Sequence, residues 1–421
     1  MKKFSLIAFL LAALFCMSSC DNQFNSTPEL DKTLLWPAQS DTCALWGYIN
    51  EKGEMFIPQR FLEAYYFSCG RAKVVLEDNR HAFIDQHGQV LYALSEGEKC
   101  DNYFYYGFCR FSNADGLYGM FDTDFNLVIP DEYTSLGRMS KEGIVSAEKG
   151  YLDKNGKTIL QIPYAESLSN FCDGVAVVTT WEDIYEEDYW GATHYRLYND
   201  GAIDTKGKLV IDTIYERLYS VENNRLVYVK NGGYGLLDLK GNVLTPPMYY
   251  DFYWYGEGGL MPVLRGNRWM YIDKNGKMAL SEMYTGALPF TDGVAYVVYD
   301  YKVEGYDSNR MLINRQGKIV LSLKSNQYLQ STFNNGLAKI LEYTYNEENG
   351  EYKKEFKYID KKGNVVYSWL VQNNPYYSPA AKKPAEMDED EMMLRMFEGT
   401  EYYPLAEQCV QSRREREKQP R

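Results

Sequence analysis

The sequence predicts an all-β fold: a tandem array of about nine three-stranded repeats. Three observations carry this reading. First, a short signature recurs: an aromatic or aliphatic residue, Ile or Leu, Asp or Asn, two polar residues, then Gly. It stands as YINEKG (48–53), FIDQHG (83–88), YLDKNG (151–156), AIDTKG (202–207), LLDLKG (236–241), YIDKNG (271–276), LINRQG (312–317) and YIDKKG (358–363), with a weaker copy, MFDTDFN, at 120–126. Second, the anchoring Asn50, Asp85, Asp122, Asp153, Asp204, Asp238, Asp273, Asn314 and Asp360 are spaced by 35, 37, 31, 51, 34, 35, 41 and 46 residues. A period that stretches without disappearing marks a repeat architecture. Third, helical periodicity is absent from this region, where short apolar runs are separated by Gly-containing turns.

The elements follow in chain order. Lys2 and Lys3 precede an apolar run from Phe4 to Phe15, and Ser18-Ser19-Cys20 follows. The run is too short to span a bilayer, so residues 1–19 read as a secretory leader. Small residues directly before Cys20 resemble a lipobox, which makes Cys20 the lipidated first residue of an exported lipoprotein. Residues 20–40 are polar and contain proline, as a tether does.

Residues 41–371 form the repeat domain. In 258–291, LMPVL gives a first strand, RWMYID a second and KMAL a third. In the signature, Asp accepts the backbone N–H two residues on and Gly takes the left-handed conformation, giving a hairpin with a Gly bulge. Pro58, Pro130, Pro163 and Pro246 mark the end of the third strand, because proline cannot donate to a ladder. An aromatic residue and a polar Gly turn then open the next unit, as in FSCG (67–70), FCDG (171–174), FTDG (290–293) and FNNG (333–336).

In six units the distance from the signature Gly to this second Gly (53 to 70, 88 to 107, 156 to 174, 241 to 259, 276 to 293, 317 to 336) is 17 to 19 residues, whereas from the second Gly to the next Asp or Asn it ranges from 10 to 30. Length variation therefore sits in one loop, and in a stacked array equivalent loops emerge on one face. Because the units are shorter than four-stranded propeller blades of about 40–45 residues, an open curved or superhelical array is expected rather than a closed propeller-like toroid. Residues 372–421 read as a linker and a tail, partly helical or disordered, with short helices around 390–399 and 404–418.

With Trp46-Gly47 in LWGYINEKGEMFIP, the unit resembles the WG (KWG) repeat of bacterial proteins, over about residues 41 to 370. Tyr118-Gly119, Lys149-Gly150 and Tyr234-Gly235 replace the name-giving pair elsewhere, and Trp190-Gly191 lies inside an insertion. The resemblance implies an exported β-repeat protein and supplies no catalytic residues.

Composition narrows the function. Loss of Lys2 and Lys3 with the leader takes the net charge from −13 to −15. An acidic surface repels phosphate backbones, which argues against nucleic acid as a partner. After the leader no apolar run is long enough to cross a membrane, so the lipid is the expected attachment, at the outer membrane of the cell envelope, facing periplasm or exterior. Cys43, Cys69, Cys100, Cys109, Cys172 and Cys409 show no framework spacing, and their pairing stays open.

The recurrent Asp and Asn side chains read as turn caps rather than a calcium ladder, since each is followed closely by a lysine in most units. His81, His87 and His194 have no metal-ligand spacing, and no nucleophile elbow or phosphate loop occurs. No catalytic residue, metal or cofactor is assigned, and the chain reads as a non-enzyme.

Three insertions are the candidate binding surface: 179–199, with Trp181, Tyr185, Tyr189, Trp190, Tyr195 and Tyr198; 299–310, with Tyr301 and Tyr306; and 342–356, with Tyr343 and Tyr345. Aromatic residues offer stiff contact area with one polar atom, which suits a glycan or a protein partner of the envelope. The expected function is a binding scaffold. The alternatives are an envelope enzyme acting on glycans and a purely structural spacer; the oligomeric state is open.

Overall fold

The computed structural model describes residues 34–188, 191–346 and 351–371. The expected helical tail, Cys20 and Cys409 lie outside them. All described elements are β-strands, arranged as nine successive antiparallel sheets. Six sheets have four strands, here called a to d in chain order. Blade 2, for example, is Glu63–Ala64, Ala72–Val75, His81–Ile84 and Val90–Ala93. Blades 3, 5, 6, 8 and 9 span 99–133, 167–215, 217–249, 286–322 and 327–370.

Blades 1, 4 and 7 have three strands. Blade 1 begins at Leu35–Ser40, inside the stretch read as tether. In blade 7 the KMAL run expected as a strand makes only the isolated bridge between Ile272 and Met278.

The expected open array is wrong, and the expected three-stranded unit holds only for blades 1, 4 and 7. Strand a, often two residues such as Glu63–Ala64 or Gly286–Ala287, supplies the fourth strand. The array also closes. One hydrophobic cluster joins blades 1 and 2 through Tyr48, Ile57, Phe67 and Val74, and further clusters continue around the chain. The last cluster packs Trp36, Ala38 and Ile49 of blade 1 against Leu337, Tyr358 and Trp369 of blade 9.

Hydrogen bonds cross the same seam. The Trp36 indole donates to Asn334 O at 2.9 Å, and the Tyr358 and Tyr367 hydroxyls donate to Pro37 O at 2.9 Å and Gln39 O at 2.8 Å. The molecule is a nine-bladed β-propeller. The Tyr358 bond repeats a device used between ordinary neighbours, where Tyr48, Tyr151 and Tyr271 donate to Tyr65 O, Ser169 O and Leu288 O. The seam is thus one more blade interface.

Antiparallel order places the a–b and c–d turns on one face and the b–c loops on the other. The turn face is built as the sequence implies. In all nine signatures the Asp or Asn Oδ1 accepts two backbone N–H groups, as Asp273 does from Asn275 at 2.8 Å and Lys277 at 2.9 Å. In blades 2, 3, 5, 8 and 9 the a–b turn is a two-residue hairpin with both central φ angles positive, as at Asp173 (51°) and Gly174 (82°), a conformation that Asp-Gly and Asn-Gly favour.

The carboxylates of these turns also reach across. Glu142 accepts from Gly174 N at 2.9 Å, Asp173 from Asn224 N at 2.7 Å, Glu257 from Gly293 N at 2.8 Å, and Asp292 from Gly336 N. Each bond ties one blade to the next.

The Gly of the Trp-Gly pair has a steric reason. In blades 1, 3, 5 and 6 strand d bulges opposite it: Trp46 pairs with Phe61 but Tyr48 with Ile57, and the same offset recurs at Tyr118/Met120, Asp200/Ala202 and Tyr234/Leu236. The bulge presses backbone onto the glycine, so a Cβ at Gly201 would meet Ile211 O at 2.7 Å and one at Gly235 would meet Thr245 O at 2.8 Å. Blades 2, 8 and 9 lack this second bulge and carry Ala82, Met311 and Lys357 there.

Candidate functional site

All three insertions extend a b–c connection, so they rise from the loop face. The largest lengthens strands b and c of blade 5 to Val175–Asp188 and Gly191–Asp204, an unbroken ladder from Val175↔Asp204 to Asp188↔Gly191. No bulge interrupts it, and side chains alternate strictly between two sides.

One side of this arm carries three cross-strand pairs in sequence: Trp181 with Tyr198, Asp183 with Arg196, and Tyr185 with His194. The Arg196 guanidinium lies 4.2 Å over the Trp181 ring. The Asp183 Oδ1 takes His194 Nε2 at 2.9 Å and faces Arg196 Nε at 3.8 Å. The His194 ring stacks on Tyr185 with centroids 4.4 Å apart and planes within 15°. These contacts hold the rings flat while leaving them in solvent: Trp181 is 40% exposed, Tyr198 42% and Tyr185 75%.

Tyr195 sits opposite Ile184 on the other side of the arm. Tyr189 and Trp190 lie outside the described residues. Asp183, Arg196 and His194 were not among the predicted binding residues. The alternation in WEDIYE and THYRLY would have paired them once the turn was placed near residue 190.

The other two insertions form a second region. In blade 8, Tyr301 is exposed and packs edge-on against Tyr299 at 5.6 Å, and Tyr306 is exposed on the same loop. In blade 9, strands b and c lengthen to Leu337–Asn346 and Glu351–Asp360. Here Tyr343 packs against Tyr328 at 5.6 Å with the Lys354 ammonium 5.8 Å from its ring, and Tyr345 remains exposed.

Arg310 connects the two blades. It lies 4.3 Å over Tyr328 and donates to Gln327 O at 2.6 Å and Ser325 O at 3.1 Å. At the base of the blade 9 hairpin, the half-buried Lys357 pairs with Glu342 at 2.8 Å and Glu355 at 3.4 Å. Burial works to lower the Lys357 pKa, but the two carboxylates outweigh it and hold it above the usual lysine value.

The fold therefore divides the ten candidates. Blades 8 and 9 are adjacent, whereas blade 5 stands three blades from one and four from the other. The set is two surfaces on one face, not one continuous patch.

Among solved structures, a eukaryotic initiation factor is similar at a TM-score of 0.54 and 10% identity, covering 81% of this chain and 97% of that one. BamB from Moraxella catarrhalis matches at 0.32 and 11%, covering 66% and 96%. The WD40 β-propeller domain of Doa1 matches at 0.26 and 12%, covering 65% and 92%. No curated protein matches the chain. The model of the WG containing repeat matches four times, at residues 46–79, 201–234, 234–269 and 269–302. The first of these spans strands c and d of blade 1 and strands a and b of blade 2, so the sequence repeat straddles two blades and binds them covalently. At these four stretches the chain carries the WG-containing repeat.

Proposed function

We propose that this propeller is a non-catalytic binding scaffold that captures a protein partner through the blade 5 arm. The observation that carries the reading is the solvent-facing ladder of Trp181/Tyr198, Asp183/Arg196 and Tyr185/His194. Trp, Tyr and Arg dominate binding energy at protein interfaces, and rings braced by cation–π and stacking contacts lose little freedom on binding. A projecting two-stranded arm suits a partner that wraps or flanks it, whereas a small ligand would need a concavity.

The blade 8–9 surface is a second contact for the same partner. Leader, Cys20 and tether support a lipid-anchored position in the cell envelope, at the outer membrane. Radiolabelled palmitate should be incorporated by the wild type and not by Cys20→Ala.

The binding test replaces residues 181–198 by a tight turn. The wild type, immobilised, should retain an envelope protein that then binds the purified chain directly at micromolar affinity or better; the shortened arm should fold and lose at least about tenfold in affinity. Unfolding of the shortened protein would make the arm structural. Retention of polysaccharide instead of protein, dependent on the same rings, would replace the protein reading by a glycan one.

A further inference from the structure

A separate cluster lies between blades 2 and 3, away from the arm. Cys100 closes the two-residue strand a of blade 3, Lys99–Cys100, and Cys109 lies in strand b, Phe108–Ser112. Cys100 pairs with Phe111, and the ladder continues as Asp101 N donates to Arg110 O at 3.0 Å. Asn102 therefore stands opposite Cys109, and the two cysteines are diagonal neighbours on one side of the sheet. Such neighbours are about 7–8 Å apart, just beyond what a disulfide spans without backbone movement. Cys100 sits on a two-residue edge strand, where a small adjustment closes that distance. Neither cysteine is bonded to another.

The surroundings distinguish the two thiols. Cys109 is fully buried, and burial pushes its pKa well up. Cys100 is half-buried and packs in the same hydrophobic cluster as Cys109, whose thiol donates to Asp101 O at 3.8 Å and Arg110 O at 3.6 Å. The buried Lys73 ammonium lies beside it, donating to Cys100 O at 3.1 Å and Asn102 Oδ1 at 2.9 Å. The His81 ring of the neighbouring blade has a buried Nδ1 with no hydrogen-bond partner among the described residues. The neighbouring Cys109 thiol, opposed by burial and reinforced by His81 and Lys73, brings the Cys100 thiol down to about 6. The nearby Asp101 is occupied by Arg110 at 3.0 Å and Arg138 at 2.9 Å, so its charge is already paired.

We propose that Cys100 and Cys109 form a dithiol–disulfide couple, oxidised by exchange with an external disulfide, in which Cys100 attacks and Cys109 resolves. Cys100 thiolate bonds to one sulfur of the external disulfide and expels the other half as a thiolate. Cys109, losing its proton, then attacks Cys100 sulfur and expels the second half. The two thiol protons end on the two released thiols, the external disulfide is reduced, and the pair in the protein is oxidised. The product pins edge strand a of blade 3 to strand b.

Both cysteines fall in one tryptic peptide, Cys100–Arg110, with no basic residue between them. The purified chain is treated with glutathione disulfide, quenched with an alkylating agent, digested and weighed. The expected product is this peptide two hydrogens lighter and unalkylated. Cys109→Ser should accumulate a stable glutathione adduct on Cys100, and Cys100→Ser should slow modification of Cys109 at least about tenfold. A stable adduct on Cys100 in the wild type, a bond from Cys100 to Cys69, or alkylation of both cysteines after oxidation would each overturn the proposal. Circular dichroism of the serine variants checks that they fold.

Discussion

On the turn face, Gly53 has a φ of 76° and the Val366 carbonyl of blade 9 pressed against the place where a Cβ would stand; on the loop face, Gly305 has a φ of 83° and open space around it. The same backbone conformation serves a packed seam in one case and a loose loop in the other. The contrast runs through the molecule. On the turn face, segment lengths are fixed, every signature Asp or Asn caps its own turn, and carboxylates tie blade to blade. On the loop face, lengths vary several-fold and aromatic rings stay in water. One face holds the ring together, which leaves the other free to vary.

The sharpest test exchanges the two glycines for alanine. Gly305→Ala meets only the left-handed penalty, about 1–2 kcal/mol at most in a yielding loop. Gly53→Ala meets that penalty and a collision at the seam, and should cost about 3–5 kcal/mol. Denaturant unfolding monitored by tryptophan fluorescence measures both. Equal losses would mean that the two faces are not mechanically different.

A smaller effect is expected from the turn caps. Asp273→Ala exposes two backbone donors that Oδ1 now satisfies and should cost about 1–2 kcal/mol. Glu304→Ala, on an exposed stretch of the loop face, should stay within about 0.5 kcal/mol.

Acid sharpens the comparison further. For Asp122, Asp238 and Asp360, partial burial works to raise the pKa, but hydrogen bonds from the side chains of Asn126, Asn242 and Asn364 and from turn N–H groups outweigh it and lower it. Because the folded pKa lies below the unfolded one, this stabilisation is complete above the unfolded value, near pH 4, and fades as pH falls through the folded value. Asn50 and Asn314 perform the same capping without a titrating group. The triple variant Asp122→Asn, Asp238→Asn, Asp360→Asn should therefore lose less stability between pH 6 and pH 3 than the wild type, read as the shift in unfolding midpoint.

These tests separate what the sequence reveals from what it hides. The nine turns were legible because Asp, two polar residues and Gly are a local device whose chemistry is complete in six letters. The fourth strand was hidden because Glu63–Ala64 or Gly286–Ala287 is too short to show any periodicity. Closure was hidden for a different reason. It rests on small rotations added over nine blades, and the bonds that complete it, such as Trp36 to Asn334, join residues 298 apart. At the candidate site, ring-rich insertions were visible in composition, but the ladder linking Asp183, Arg196 and His194 exists only once the hairpin register is known. The split between blade 5 and blades 8–9 likewise depends on position in the ring, which repeat counting alone does not give when the array is read as open.

The smallest stability effect should come from the arm itself. Trp181 and Tyr185 contact Arg196 and His194 of the partner strand, and neither belongs to the buried clusters that join the blades. Trp181→Ala and Tyr185→Ala should each move the unfolding midpoint by no more than about 0.5 kcal/mol equivalent, while Trp369→Ala, which empties the seam, should cost about 3–5 kcal/mol. Rings retained in solvent at so little benefit to folding need another reason to be there, and contact with a partner supplies one. A loss above about 2 kcal/mol for Tyr185→Ala would instead mean that the exposed ladder stabilises the blade beneath it, and the division of labour between the two faces would fail at the place where it matters most.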